Sequence, residues 1–203
     1  LLSWTTLGKT RKDRLLEAEG ALRSGDLGTA EQLFRSLILE DEKTSSYRLG
    51  LGATLLKQKR LHEAFDQAVY VLDREYASAP AHALLGTFFR LSGDFKKAIE
   101  HYRISLQVDP NAQAIGGLAI IDFYENRLNE SFRGLRRAVR LDDSDADFYF
   151  HLAQVASKLQ RYDAGLEGLD AVSAVVEDGL GTLWAIVDWD LYAWEENRWR
   201  RIS

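Results

Sequence analysis

Residues 79–111 read APAHALLGTFFRLSGDFKKAIEHYRISLQVDPN, and this stretch decides the fold. Its apolar residues recur at helical spacing in two runs, one on each side of Ser92-Gly93-Asp94. Glycine suits the left-handed backbone that ends a helix, and an aspartate directly after it is a good cap for the next helix. The second run ends at Asp109-Pro110-Asn111. The stretch therefore predicts two helices joined by a tight turn.

The same unit recurs along the chain at a nearly constant interval. A bulky residue follows each turn with gaps of 34, 34, 33 and 34 residues, at Leu27, Leu61, Phe95, Leu128 and Tyr162. Three positions later a small residue appears each time, at Ala30, Ala64, Ala98, Ser131 and Gly165. Small side chains let two helices approach where they cross, since larger ones would overpack the contact. The period predicts a stack of repeated helix pairs.

The repeats divide the chain as follows. Five repeats are predicted at 11–44, 45–78, 79–111, 112–145 and 146–179, after a leading segment at 1–10. Their helices are predicted at 11–24 with 27–40, 45–58 with 61–75, 79–92 with 95–108, 112–125 with 128–141, and 145–159 with 162–176. No strand is predicted. Residues 180–203 are expected to form either a helix that caps the stack or the start of a sixth, truncated repeat.

The residues of repeat three match the pattern of a known repeat family. Leu51-Gly52 and Leu85-Gly86 lie 34 residues apart in first helices, and repeat three adds Tyr102 and Pro110 to its small Ala98. Over residues 11–179 this pattern resembles the tetratricopeptide repeat, although repeat four is one residue short and lacks the proline. The resemblance implies an all-α, right-handed superhelical solenoid of stacked helix-turn-helix repeats. It also implies a concave surface that is lined by first helices and receives peptides or helices of partner proteins.

Composition and charge exclude several classes of function. The net charge of −5 provides no broad attraction to nucleic acid or anionic lipid. No stretch approaches the roughly 18 consecutive apolar residues of a membrane helix. The absence of cysteine excludes disulfides and thiolate metal sites. We expect a soluble cytoplasmic or periplasmic chain that neither binds nucleic acid nor inserts into a membrane.

The candidate catalytic and metal-binding residues lack the sequence spacing that such sites require. The four histidines, His62, His82, His101 and His151, lack the spacing of a helical zinc site and are interpreted as surface or partly buried structural residues. Asp143-Ser144-Asp145-Ala146-Asp147 begins like a calcium loop, but Phe148 and Gln154 replace its glycine and glutamate. No catalytic motif occurs. We predict no enzyme activity, no metal and no cofactor.

The resemblance implies a partner-binding groove on the first helices. Mapped by helical phase, it comprises Leu49, Ala53, Leu56, Ala83, Thr87, Arg90, Gly116, Ile120, Phe123, Phe150, Gln154 and Ser157. Most of these residues are small or apolar, so the predicted partner contributes apolar side chains, for example from an amphipathic helix. The alternative is that some of them are core residues. A second feature is an arginine face on the second helix of repeat four, formed by Arg133, Arg136, Arg137 and Arg140. It either docks an acidic partner or phosphate, or is a solvated outer face.

Several uses of such an array stay open because a fold does not choose its function. The first is a non-enzymatic scaffold or adaptor that helps to assemble a multiprotein complex. The second is a chaperone-like module that holds a client segment, or the repeat region of a larger secretion, pilus or polysaccharide-export protein. A third is a regulatory domain of a larger enzyme.

Overall fold

The computed structural model describes residues 9–143, 145–158, 174–177, 183–187, 190–195 and 198–201. Nine helices lie in the first two of these ranges: α1 (Arg11–Ser24), α2 (Leu27–Glu40), α3 (Ser45–Lys57), α4 (Leu61–Leu72), α5 (Ala79–Leu91), α6 (Phe95–Val108), α7 (Ala112–Tyr124), α8 (Leu128–Leu141) and α9 (Ala146–Lys158). Every helix lies within three residues of its predicted bounds, which confirms the stacked helix pairs as far as α9. Residues 1–8 of the predicted leading segment and residues 162–173 of the predicted tenth helix lie outside the described residues.

All four turns within these pairs have the same backbone geometry. The residue two positions before each second helix has a left-handed φ: Gly25 (81°), Lys59 (64°), Gly93 (83°) and Asn126 (60°). Glycine reaches this conformation without steric cost. Asp26 and Asp94 then cap the following helices, because their carboxylates accept hydrogen bonds from backbone N–H groups at 3.1 Å. The turn chemistry thus sets where each second helix begins.

Helices meet where side chains are small. Ala30, Ala64, Ala98 and Ser131 are all completely buried, as the sequence period predicts. In addition, three glycines of first helices each face an aromatic ring, with Gly50 against Phe34, Gly86 against Tyr102 and Gly116 against Phe148. A Cβ at position 86 would lie 2.5 Å from the ring of Tyr102, so glycine is required there.

The chain divides into two compact units, Leu1–Pro110 and Asn111–Ser203, called here the N-terminal and C-terminal units. In the N-terminal unit each helix packs against the next, and the first helix α3 also contacts the first helices α1 and α5. In the C-terminal unit α7, α8 and α9 contact one another in all three combinations. Of the helices that the structure describes, none combines the length and apolar character needed to cross a membrane.

A polar network joins the first two helix pairs. The carboxylate of Glu31 on α2 accepts hydrogen bonds from Gln58 Nε2 at 3.0 Å and from Arg60 Nη1 at 2.7 Å. These two hydrogen bonds lower the pKa of Glu31 to about 2. Both donors lie at the turn between α3 and α4, so the network connects α2 to the following pair.

The prediction of a helix at 180–203 is wrong, as is the expectation that the chain has no strands. The described residues there form β1 (Ala174–Glu177), β2 (Leu183–Val187), β3 (Asp190–Glu195) and β4 (Arg198–Arg201), an antiparallel sheet in the order β1-β2-β3-β4. β1 also occupies the end of the helix predicted at 162–176. Aromatic and β-branched residues such as those of β2 favour strands over helices. Trp194 pairs with Trp199 across β3 and β4, a five-residue spacing that fits no single helix face.

Replacing Gly86 with alanine should destabilise the protein by about 1–3 kcal/mol, because the new methyl group would overlap the buried ring of Tyr102. The matched control is Gly20→Ala on α1, where nothing lies within 4 Å of an added Cβ. Alanine is the better helix former, so this variant should gain about 0.5–1 kcal/mol. Urea denaturation followed by far-UV circular dichroism measures both changes. Equal stability of the two variants would contradict the ring contact at Gly86.

Candidate functional site

Most of the predicted groove residues in the N-terminal unit belong to its core. Leu56, Ala83, Thr87 and Arg90 are at least nine-tenths buried. Only Leu49 and Ala53 are half-buried and within reach of a ligand. Thr87 and Arg90 are covered within their own helix pair, because both contact the hydroxyl of Tyr102 on α6, at 3.0 and 3.4 Å.

The predicted groove residues in the C-terminal unit divide in the same way. Gly116 and Ile120 are buried, and the ring of Phe148 occupies the space beside Gly116. Phe123 and Gln154 are half-buried, whereas 37% of Phe150 is exposed. The side chain of Ser157 lies outside the described part of the structure. Phe123 and Phe150 are therefore the predicted residues that still present large apolar surface.

Phe123 and Phe150 lie in one aromatic cluster around His151. The ring centroids of Phe150 and Phe123 lie 5.4 and 5.8 Å from that of His151, both edge-on. Tyr124 completes the cluster at 6.1 Å from His151, and 56% of it is exposed. His151 itself is buried and held by a 2.8 Å hydrogen bond between its Nδ1 and the carbonyl of Asp147. We call Phe123, Tyr124, Phe150 and His151 the aromatic cluster of the C-terminal unit.

A positive charge lies beside this cluster. The ammonium group of Lys158 is 4.5 Å from the ring centroid of Phe123, a cation–π contact between the end of α9 and the end of α7. This contact holds Phe123 in place and leaves Tyr124 and Phe150 as the outer members. Sequence mapping missed Tyr124, which lies one residue beyond the predicted Phe123 at the last position of α7.

The N-terminal unit carries a row of half-buried rings on α4, α5 and α6. Phe65 and Phe88 lie 4.9 Å apart, Phe88 and Phe89 lie 5.1 Å apart, and Phe89 lies 5.3 Å from His101 with nearly parallel planes. His62, which is exposed, lies at one end of the row, 6.1 Å from Phe88. The row packs against the core of this unit, so its rings contribute mainly to stability.

At the other end of the row, two histidines that are distant in sequence share a contact. Nδ1 of His82 and Nδ1 of His101 are 3.1 Å apart, and Nε2 of His82 is 3.1 Å from the carbonyl oxygen of Tyr76. A carbonyl can only accept, so His82 carries its proton on Nε2, and Nδ1 of His101 must donate to Nδ1 of His82. Burial and the proximity of His82 lower the pKa of His101.

This histidine pair has the geometry of a hydrogen bond, not of a metal chelate. The ring centroids are 5.4 Å apart, and the two Nδ1 atoms are 3.1 Å apart. The difference is about the sum of the two distances from a ring centroid to its nitrogen, so both nitrogens lie on the line between the centroids and point at each other. Two ligands of one metal would instead direct their lone pairs to a common third point. Within the described ranges no third histidine or carboxylate completes a ligand group.

The arginine face of α8 is partly paired. Arg133, Arg137 and Arg140 are exposed, and Arg133 makes a 3.1 Å ion pair with Glu130. Arg136 is half-buried, with its guanidinium 5.6 Å from the ring centroid of Phe132. Burial and the proximity of Arg140 lower the pKa of Arg136. Three of the four arginines are thus exposed, and the fourth packs on a ring.

Comparison with known proteins agrees with this fold. Residues 15–80 match the family model of the tetratricopeptide repeat. The chain is similar to TTC0263, a tetratricopeptide-repeat protein of Thermus thermophilus, with a TM-score of 0.64 and 16% identity over 77% of this chain and 87% of that one. No match was found among curated proteins.

Two further solved structures share the fold at similarly low identity. For Pseudomonas aeruginosa pilF the TM-score is 0.55 with 14% identity over 75% of this chain and 70% of that one. For the APC/C hetero-tetramer Cut9–Hcn1 the TM-score is 0.63 with 14% identity over 78% of this chain and 32% of that one. These similarities establish the repeat fold alone.

Stability should fall as the pH drops below about 6.5, because the unfolded state then takes up a proton at His101 that the folded state resists. Replacing His101 with glutamine should reduce this dependence, measured as the free energy of unfolding in urea at neutral and mildly acidic pH. The exposed His62→Gln variant is the control and should keep the wild-type slope. An unchanged slope in the His101 variant would show that the pair does not couple to folding.

Proposed function

We propose that this tetratricopeptide-repeat chain is a non-enzymatic protein-interaction module, which binds an apolar segment of a partner and so helps to assemble a multiprotein complex. The observation that carries the proposal is the aromatic cluster of the C-terminal unit. Its exposed members are Tyr124 at the end of α7 and Phe150 on α9, and both helices are first helices of their pairs. Rigid aromatic side chains of this kind are common anchors of protein interfaces.

The cluster is preorganised for a ligand. His151 is buried and hydrogen-bonded within its own helix, and both phenylalanines pack edge-on against it. Since the rings already hold fixed positions, a partner that covers them loses little side-chain entropy on this side of the interface. An apolar side chain of the partner would replace water on Tyr124 and Phe150, while the tyrosine hydroxyl supplies a polar group at the rim.

The comparisons support assembly as the use of this fold. The similar Cut9–Hcn1 structure is a hetero-tetramer, so that protein works as a subunit of a complex. A chaperone-like module would use the same surface but release its client. Isolating the intact chain with its bound proteins distinguishes the two uses: several subunits retained in fixed proportions indicate a scaffold, whereas a single exchangeable segment indicates a chaperone.

Placing two carboxylates on the cluster, as Tyr124→Asp with Phe150→Asp, should reduce partner binding by at least about tenfold, because buried unpaired charges oppose the interface. Helicity should stay unchanged, since 56% of Tyr124 and 37% of Phe150 is already exposed to water. Affinity isolation from cells with quantitative mass spectrometry measures the loss, and far-UV circular dichroism tests the fold.

The matched control carries the same two charges elsewhere. Leu39 and Tyr76 are the most exposed large apolar side chains of the N-terminal unit, so Leu39→Asp with Tyr76→Asp should leave partner capture unchanged. Retention of all partners by the cluster variant would refute this surface as the binding site. A loss of helicity in that variant would place the two rings in the core instead.

A further inference from the structure

Within the described part of the C-terminal unit, the sheet has one open edge. Its strands follow the order β1-β2-β3-β4, so β1 and β4 form the two edges. Of the helices and strands described in this unit, α9 contacts β1 as well as β2 does, whereas β3 alone contacts β4. Every second residue of an edge strand directs its backbone N–H and C=O groups away from its neighbour, where they can pair with a further strand. The β4 edge is therefore the place where this sheet can accept a fifth strand.

The β4 edge is strongly basic. Its residues, Arg198–Arg201, read RWRR, so arginine occupies three positions in four, although the whole chain has a net charge of −5. On the side of the sheet the register places Glu195 opposite Arg198, whereas the residues opposite Arg200 and Arg201 are an alanine and a tyrosine. Only one of the three arginines thus lies opposite an acidic residue within the sheet.

The charge of β4 opposes its pairing with a second copy of this chain. Antiparallel pairing of two β4 strands over their full length would place Arg198 opposite Arg201 at both ends, and parallel pairing in register would place every arginine opposite itself. Like charges directly opposite each other destabilise a sheet, whereas opposite charges in those positions stabilise it. The β4 edge therefore favours a strand that carries aspartate or glutamate.

We propose that the β4 edge binds an extended acidic segment of another protein, which joins the sheet as a fifth strand. Backbone hydrogen bonds hold the segment, and its acidic residues opposite Arg200 and Arg201 select it. Nucleic acid fits this edge less well, because a sugar–phosphate backbone lacks the alternating donors and acceptors of a strand and the net charge of the chain repels a long polyanion. The site shares no residue with the aromatic cluster, so this proposal is independent of the proposed function.

The test screens a displayed library of random peptides against the intact chain. We expect one class of selected peptides to carry two adjacent aspartates or glutamates, since Arg200 and Arg201 are adjacent on the edge. Synthetic peptides of this class should bind Arg200→Gln with Arg201→Gln at least about fivefold more weakly than wild type, because two opposite-charge cross-strand pairs are lost. The matched control, Arg103→Gln with Arg137→Gln, removes the same charge from exposed helix positions and should bind them as wild type does. Fluorescence anisotropy measures these affinities.

A chemical change in the peptide tests strand pairing without altering the protein. Methylation of the backbone nitrogens of alternate residues removes the hydrogen-bond donors of one strand edge and keeps every charge. The two possible alternate sets are methylated in separate peptides. One set should weaken binding at least about tenfold and the other should leave it unchanged, because only one edge of the bound segment pairs with β4. Since this comparison uses wild-type protein, it stays decisive even if the arginine variant does not fold.

The proposal is overturned if no selected class carries adjacent acidic residues, or if both methylation patterns have the same effect. It is also overturned if the control variant loses as much affinity as Arg200→Gln with Arg201→Gln, or if a single-stranded oligonucleotide binds these arginines more tightly than the peptides do. A glutamine variant that self-associates yet keeps its affinity for the peptides would show that the arginines only protect the edge from aggregation, which overturns the proposal as well.

Discussion

A methyl group on the backbone at Gly86 would overlap the ring of Tyr102. Glycine therefore permits the close approach of α5 and α6, and the other contacts of this helix pair follow from that approach. Glycine in a helix interior costs about 0.5–1 kcal/mol relative to alanine, so its presence needs a compensating contact. Here a completely buried ring fills the space against bare backbone. That approach also brings the Tyr102 hydroxyl to Thr87 and Arg90, which lie on the same helix as the glycine. The packing of this helix pair and the hydrogen bonds of Tyr102 therefore depend on one contact.

The helices could be predicted because their boundaries are local. The turn before each of α2, α4, α6 and α8, together with the small residue in the first turn of that helix, repeats along the chain, and both signals lie within a few residues of the boundary they mark. The sheet at the end of the chain was missed for a related reason. Leu183–Val187 is apolar throughout. The periodicity of so short an apolar run does not distinguish a buried helix from a strand.

The groove was predicted less well because helical phase gives the direction of a side chain but not what covers it. Ile120 and Phe150 both satisfy the phase criterion, yet one is completely buried and the other exposed. The contact between His82 and His101 was missed although it has a sequence signal. The two residues lie on α5 and α6, the helices on either side of the turn at Gly93, so folding the chain back at that turn brings these helices together. Spacing along one helix, the usual test for paired histidines, does not detect such contacts.

The aromatic cluster of the C-terminal unit supplies only one part of recognition. Burial of apolar area on Tyr124 and Phe150 provides free energy, but an apolar contact is nearly indifferent to which way a bound segment runs. The mildly acidic chain would repel acidic peptides over most of its surface. Affinity for an apolar segment would therefore come from the cluster, and discrimination against acidic segments there from the net charge of the chain.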